Sequence, residues 1–221
     1  MSRHHGGVFI AGTDRWKVVL VEPEALRIAL YVRDAAGLDP TTVPPIPPVD
    51  PPTQWWPVWS RRPVEMPESR GVRLLGRREL DLAAASTQWA RWWTHLLDDD
   101  AGAIDDLRPP NFPALARVPD LRALLQRHYD NACIWSEGLN GDPRIRNAHT
   151  APGLGLNAFI KDLPRLLGRP PRDFAMRVTV IGVQTKHAWI LRRDHLLLTR
   201  QLMFDLDNAL DWLRPRILAL A

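Results

Sequence analysis

The sequence predicts an α+β fold: a helical middle region packed with a small, mainly antiparallel sheet and ending in a C-terminal β-β-β-α unit. Three observations lead there. Apolar residues recur every three or four positions through much of 72–168, as in Leu82, Ala85, Trp89, Trp93 and Leu96, which is the period of a helix with one buried stripe. From Phe174 the period drops to two, with Phe174, Met176, Val178 and Val180 alternating against Arg177, Thr179, Ile181 and Val183. The composition, 45% hydrophobic and 24% charged over 221 residues, is that of an ordinary folded protein long enough to bury a core. One domain, 1–221, is expected, with 72–168 as a helical layer and 174–221 as the β-β-β-α unit.

Taken in order, Val8 to Ala11 and Trp16 to Val21 read as strands around a Gly12-Thr13-Asp14 turn. Pro23 suits the first position of a helix, and Gly37 and Pro40 suit its end. A strand over 26–32 is the alternative, because Ile28, Tyr31 and Val32 favour extended backbone. Helices are predicted over 80–97 and from Asp120 through Leu121, Leu124, Leu125, His128, Ala132 and Trp135. A third carries Leu156, Phe159, Ile160, Leu163 and Leu167, and Pro164 is expected to kink or divide it. It is expected to begin near Asn157, with Gly153-Leu154-Gly155 as a turn before it. Two short strands, 187–191 and 195–199, flank Arg192-Arg193-Asp194 as a three-residue hairpin loop. That loop pairs Leu191 with His195 and His187 with Thr199. A last helix carries Leu206, Leu210, Leu213, Ile217 and Leu220, bent at Pro215.

Residues 40–67 differ in kind. Ten prolines in 28 positions rule out a helix or a central strand, because proline lacks the amide donor and fixes φ. The segment is expected to be an extended arm, largely polyproline II. It also carries Trp55, Trp56 and Trp59, and indole rings are rarely left in water. They either insert into the edge of the protein's own core or dock on another chain.

The net charge is +4, but only three of the 29 basic residues are lysine. An arginine-rich, alanine- and proline-rich chain is the habit of a high-GC genome. The arginines are scattered rather than gathered in a basic stripe, so nucleic acid is not the favoured partner. No apolar run nears the roughly 20 residues needed to cross a bilayer. The first seven residues lack a secretory signal, and a single cysteine, Cys133, excludes an internal disulfide. A cytoplasmic protein is expected.

Several residues invite a chemical reading. His128 lies on an apolar helix stripe, where a buried imidazole needs a hydrogen-bond partner and can have a shifted pKa. Cys133, five residues on, diverges from it by about 140°, so the two do not form a catalytic pair. Asp98, Asp99, Asp100, Asp105 and Asp106 crowd carboxylates together, but without the alternation of a Ca²⁺ loop, and read as a solvated turn. Gly153-Leu154-Gly155 lacks the lysine and hydroxyl of a phosphate loop and the third glycine of a dinucleotide fingerprint. His187 and His195, four residues apart along one hairpin, are about 13 Å from each other, too far to share a metal. His4 and His5 carry no motif. No metal or cofactor is expected.

Arg144-Ile145-Arg146-Asn147-Ala148-His149 resembles the arginine-to-histidine motif of HEPN-type ribonucleases, and Arg122 with His128 has the same spacing. The resemblance implies that these residues handle a scissile phosphate and its proton transfer between paired helices. The three C-terminal strands depart from that all-helical family. No nucleophile elbow, zincin motif or C-x-x-C pair is present. The expected function is therefore a non-catalytic interaction or regulatory protein, binding a protein partner or itself, or serving as an assembly subunit. Trp55, Trp56 and Trp59 are the expected anchors. The alternative is an enzyme acting on a phosphate-containing substrate such as RNA, with Arg122, His128, Arg144 and His149 as its site.

Overall fold

Gly12 takes φ +104°, and a Cβ there would strike the Trp16 carbonyl, so this glycine lets the chain reverse. The reversal joins strands β1 (Val8–Gly12) and β2 (Trp16–Val21) in an antiparallel hairpin. The computed structural model describes residues 8–55, 80–98 and 107–221. The chain forms two compact units, one of residues 1–24 with 140–221 and one of residues 25–139.

In the first unit, β1 and β2 join β3 (Phe174–Ile181), β4 (Ala188–Arg192) and β5 (His195–Thr199) in one sheet of order β1-β2-β3-β5-β4. The fold class is α+β, and the N-terminal strands share the sheet of the C-terminal unit. The sheet is mixed rather than mainly antiparallel. β2 pairs in parallel with β3, and β3 in parallel with β5, while both outer pairings are antiparallel. After β3 the chain steps past one strand position to form β4 at the edge. β5 then fills the gap pointing the same way as β3. Periodicity identifies strands but not their neighbours, so this order could not be read in advance.

The hairpin register follows the expectation at its open end, where the Thr199 amide donates to the His187 carbonyl at 3.0 Å. It departs near the turn. An irregularity between Ile190 and Arg192 pairs Arg192, not Leu191, with His195, and the loop shortens to Arg193-Asp194.

Two long helices cover one sheet face. Leu156, Ile160 and Leu163 of α4 (Pro143–Leu167) and Leu210, Leu213 and Ile217 of α6 (Leu206–Leu220) pack on Val18, Leu20, Met176, Val178, Val180, Leu196 and Leu198. Between β5 and α6 lies the short α5 (Arg200–Met203), capped by the Thr199 hydroxyl. Helix α4 overturns two expectations. It starts at Pro143, where the Asp142 carboxylate accepts the Arg144 amide at 2.8 Å, so Gly153-Leu154-Gly155 is inside the helix and not a turn. The glycine at 155 has a packing reason, since a Cβ there would come within 2.8 Å of Leu210 Cδ1. Nor does Pro164 divide the helix, which ends at Gly168 with φ +64°.

The second unit is helical. α1 (Glu24–Ala35) closes at Gly37, where the Leu38 amide returns to the Arg33 carbonyl at 2.9 Å. The strand alternative for 26–32 is thereby overturned. Every residue from Ala25 to Arg33 is buried, and a helix buried all round leaves no polar face to reveal its period. α2 (Leu82–Asp98) is capped by Asp81, whose carboxylate accepts the Ala83 and Ala84 amides. Its Trp89 donates its indole N–H to the Ala29 carbonyl at 2.8 Å and stacks on Trp93. α3 (Pro119–Gly141) is joined to α2 by the Gln88 amide, which accepts from Leu121 N and donates to Asp120. Tyr31 of α1 meets Trp135 of α3 with ring centroids 5.6 Å apart.

Candidate functional site

A proline-rich arm carries many carbonyl acceptors and few amide donors. Something must supply the missing donors. The last full turn of α1 does so. Arg33, 4% exposed, donates from Nη1 to the Ile46 carbonyl at 2.8 Å and from Nη2 to the Pro47 carbonyl at 2.6 Å. Its Nε donates to Asp34 Oδ1, and Asp34 Oδ2 accepts the Val49 amide at 2.6 Å. Two adjacent side chains thus clamp the backbone of 46–49. The Arg33 guanidinium also lies 5.6 Å from the Trp89 ring centroid, over its face. Upstream, the Asp39 amide donates to the Ser86 hydroxyl.

The clamp fixes which side of the arm faces in. Val49 is buried, while Thr41, Val43, Pro45 and Pro48 are exposed, Val43 by 96%. A groove of about 540 Å³ runs beside the start of the arm, lined by Asp39, Thr41, Leu82, Thr87 and Arg91 among others. Beyond the clamp, the Trp55 amide closes a turn onto the Pro52 carbonyl at 2.8 Å, and Trp55 is half-buried. Trp56 and Trp59 lie outside the described residues.

The other candidates are dispersed. His128 is half-buried on α3, and burial, aided by the Arg127 charge, holds its pKa below the usual histidine value. Arg122, six residues earlier, points about 120° away around the helix and donates from Nε to the Asn111 carbonyl at 2.7 Å. Arg144 is in the first turn of α4, over the Phe204 ring. His149 is on the same helix, with its side chain outside the described residues. The Arg122–His128 pair belongs to one compact unit and the Arg144–His149 pair to the other. Of the aspartate group, Asp98 ends α2 and the rest lie outside the described residues. No cluster of metal-ligating side chains occurs among the described residues.

His195 is 2% exposed, with Nε2 at 2.9 Å from the Thr179 hydroxyl and Nδ1 at 3.4 Å from Arg192 Nη2. The neighbouring Asp194 carbonyl accepts the Arg177 amide at 2.8 Å. His187 meets Trp189 edge-on at 4.8 Å.

Sequence reasoning missed Arg33 and Asp34. A usable signal was present, namely an Arg-Asp pair in the last turn of a helix whose following segment is short of donors. Comparison with known proteins gives no match: no family model, curated protein or solved structure matches the chain.

Proposed function

We propose that the protein is a non-catalytic interaction protein whose proline arm presents Trp55, Trp56 and Trp59 to a partner chain in the cytoplasm. The observation that supports this reading is the clamp. Arg33, buried, and Asp34, half-buried, spend two charged side chains on holding an extended backbone, and they do so through its main chain. Among the described residues, Thr41, Val43, Pro45 and Pro48 of the arm expose their side chains. A pre-ordered polyproline segment loses little entropy on binding, and tryptophan anchors contribute most of the energy of many interfaces. The catalytic reading has less support, because Arg122 points away from His128 around α3 and donates from Nε to the Asn111 carbonyl.

The test is co-purification at fixed stoichiometry from the native lysate, comparing the wild type with Trp55→Ala, Trp56→Ala and Trp59→Ala combined. Loss of one specific chain from the triple variant is the expected outcome. Equal recovery of that chain by a triple variant with wild-type circular dichroism would overturn the proposal. A nuclease assay on His128→Ala and His149→Ala checks the alternative.

A further inference from the structure

A polyproline II chain leaves its own carbonyls unbonded, so a site that recognises its backbone must bring donors. Arg33 brings two on one planar fork, and they reach successive carbonyls, Ile46 at 2.8 Å and Pro47 at 2.6 Å. Asp34 brings the matching acceptor. The prolines at 47 and 48 have no amide, and the next amide along, that of Val49, donates to Asp34 Oδ2 at 2.6 Å. The clamp therefore fits two carbonyls followed, after a pair of prolines, by one amide.

Helices, not the arm, hold these groups in place, and all of them belong to the second unit. The Arg33 fork is fixed by Asp34 Oδ1 at its Nε and by the Trp89 ring, whose centroid is 5.6 Å from the guanidinium. Trp89 is fixed in turn by its indole N–H, which donates to the Ala29 carbonyl of α1 at 2.8 Å. The site reads little of the arm's side chains. Pro48 is exposed, Ile46 and Pro47 are half-buried, and Val49 alone of residues 41–50 is buried. Main chain, a proline pair and one apolar side chain are what it selects, and an apolar-Pro-Pro-apolar segment of any chain offers the same groups.

We infer that the Arg33–Asp34–Trp89 cluster is a binding site for a proline-rich segment of another protein, and that Ile46-Pro47-Pro48-Val49 fills it in cis as a displaceable stand-in. A second copy of this chain is not the ligand. Reciprocal exchange of arms would replace each contact by the same contact and add the entropy cost of association. An attached segment competes at about millimolar effective concentration, so the arm keeps the site closed to weak or short ligands. The inference stands on the clamp and not on the tryptophans, and it holds or fails apart from the partner contacts proposed for them.

The experiment is fluorescence anisotropy of a labelled synthetic peptide, Pro-Pro-Ile-Pro-Pro-Val-Asp, titrated with the full chain. Val49→Asp puts a charge in the arm's one buried position and unseats it without touching the clamp. Val49→Pro, which deletes only the amide that Asp34 accepts, serves if that variant fails to fold. The unseated protein is expected to bind the peptide saturably, and the wild type about tenfold or more weaker because its own arm competes. Adding Arg33→Met to the unseated variant is expected to weaken binding again by about tenfold or more. The same peptide with aspartate in place of its valine is expected not to bind. Absence of saturable binding by the folded variants, or binding that Arg33→Met leaves unchanged, would overturn the inference. Light scattering separates the remaining source. A wild type at twice the chain mass that becomes single-chain in the Val49 variants would make a second copy's arm the ligand and overturn the assignment to another protein.

Discussion

Each compact unit contains a buried arginine beside a carboxylate, and the two pairs do opposite jobs. In the first unit Arg200 and Glu22, each 2% exposed, meet just past the carboxyl ends of β5 and β2, 178 residues apart in sequence. Gly182, past the end of β3, completes the arrangement, because a Cβ there would strike the Arg200 guanidinium. In the second unit Arg33 and Asp34 are neighbours in sequence, and both reach outward to the backbone of the arm. One pair ties distant strand ends together by charge. The other supplies donors and an acceptor to a segment whose prolines cannot complete their own hydrogen bonds. The difference teaches that a buried arginine must be read by what it satisfies, since burial and a nearby carboxylate look alike in both.

The contrast can be broken most directly at Arg200. Arg200→Met leaves the Glu22 carboxylate buried beside an apolar side chain, and a loss of about 3–5 kcal/mol in urea unfolding is expected. A cost under about 1 kcal/mol would mean that the pair is not a tether. Arg33→Met is expected to cost less, about 2–3 kcal/mol, and to act locally. The Val49 amide should exchange faster, and protease cutting within 40–55 should increase, while amides of β2, β3 and β5 keep their protection. A uniform loss of protection in both units would erase the distinction.

Gly182→Ala tests how tightly the first pair is held. The new methyl forces the Arg200 guanidinium aside, for an expected loss of about 1–3 kcal/mol, and none if the pair can shift freely. The smallest effect belongs to an exposed pair. Lys186 and Asn208 hold the Asp205 carboxyl at about 2, below its ordinary value. A depressed folded-state value contributes stability that is present above the unfolded carboxylate pKa of about 3.9 and is lost as pH falls through about 2. In an NMR titration, Lys186→Met should return the Asp205 midpoint toward 3.8. An unmoved midpoint would assign the shift to Asn208 and the helix N-terminus.

Much of the fold was legible because its signals are local. The period-two run from Phe174, the stripe Leu82-Ala85-Trp89-Trp93-Leu96 and the break at Gly37 each depend on residues a few positions apart. α4 was misread at its start because two glycines and a proline near residue 153 look like a turn. The deciding fact there, the approach of Leu210 to Gly155, comes from a helix 55 residues later. The site was less legible. The arm and its tryptophans stand out by composition, but Arg33 and Asp34 look like ordinary helix-end charges until the arm folds back on them.

By itself the sequence determined the class, the element types and the extended character of 40–52, because backbone preference and apolar period act over one or two turns. Only the tertiary structure decided the strand order, the parallel pairings at the centre of the sheet and the partner of each buried arginine. Those depend on which distant groups meet. The same side chain is a tether, a clamp or a solvated charge according to the backbone brought against it.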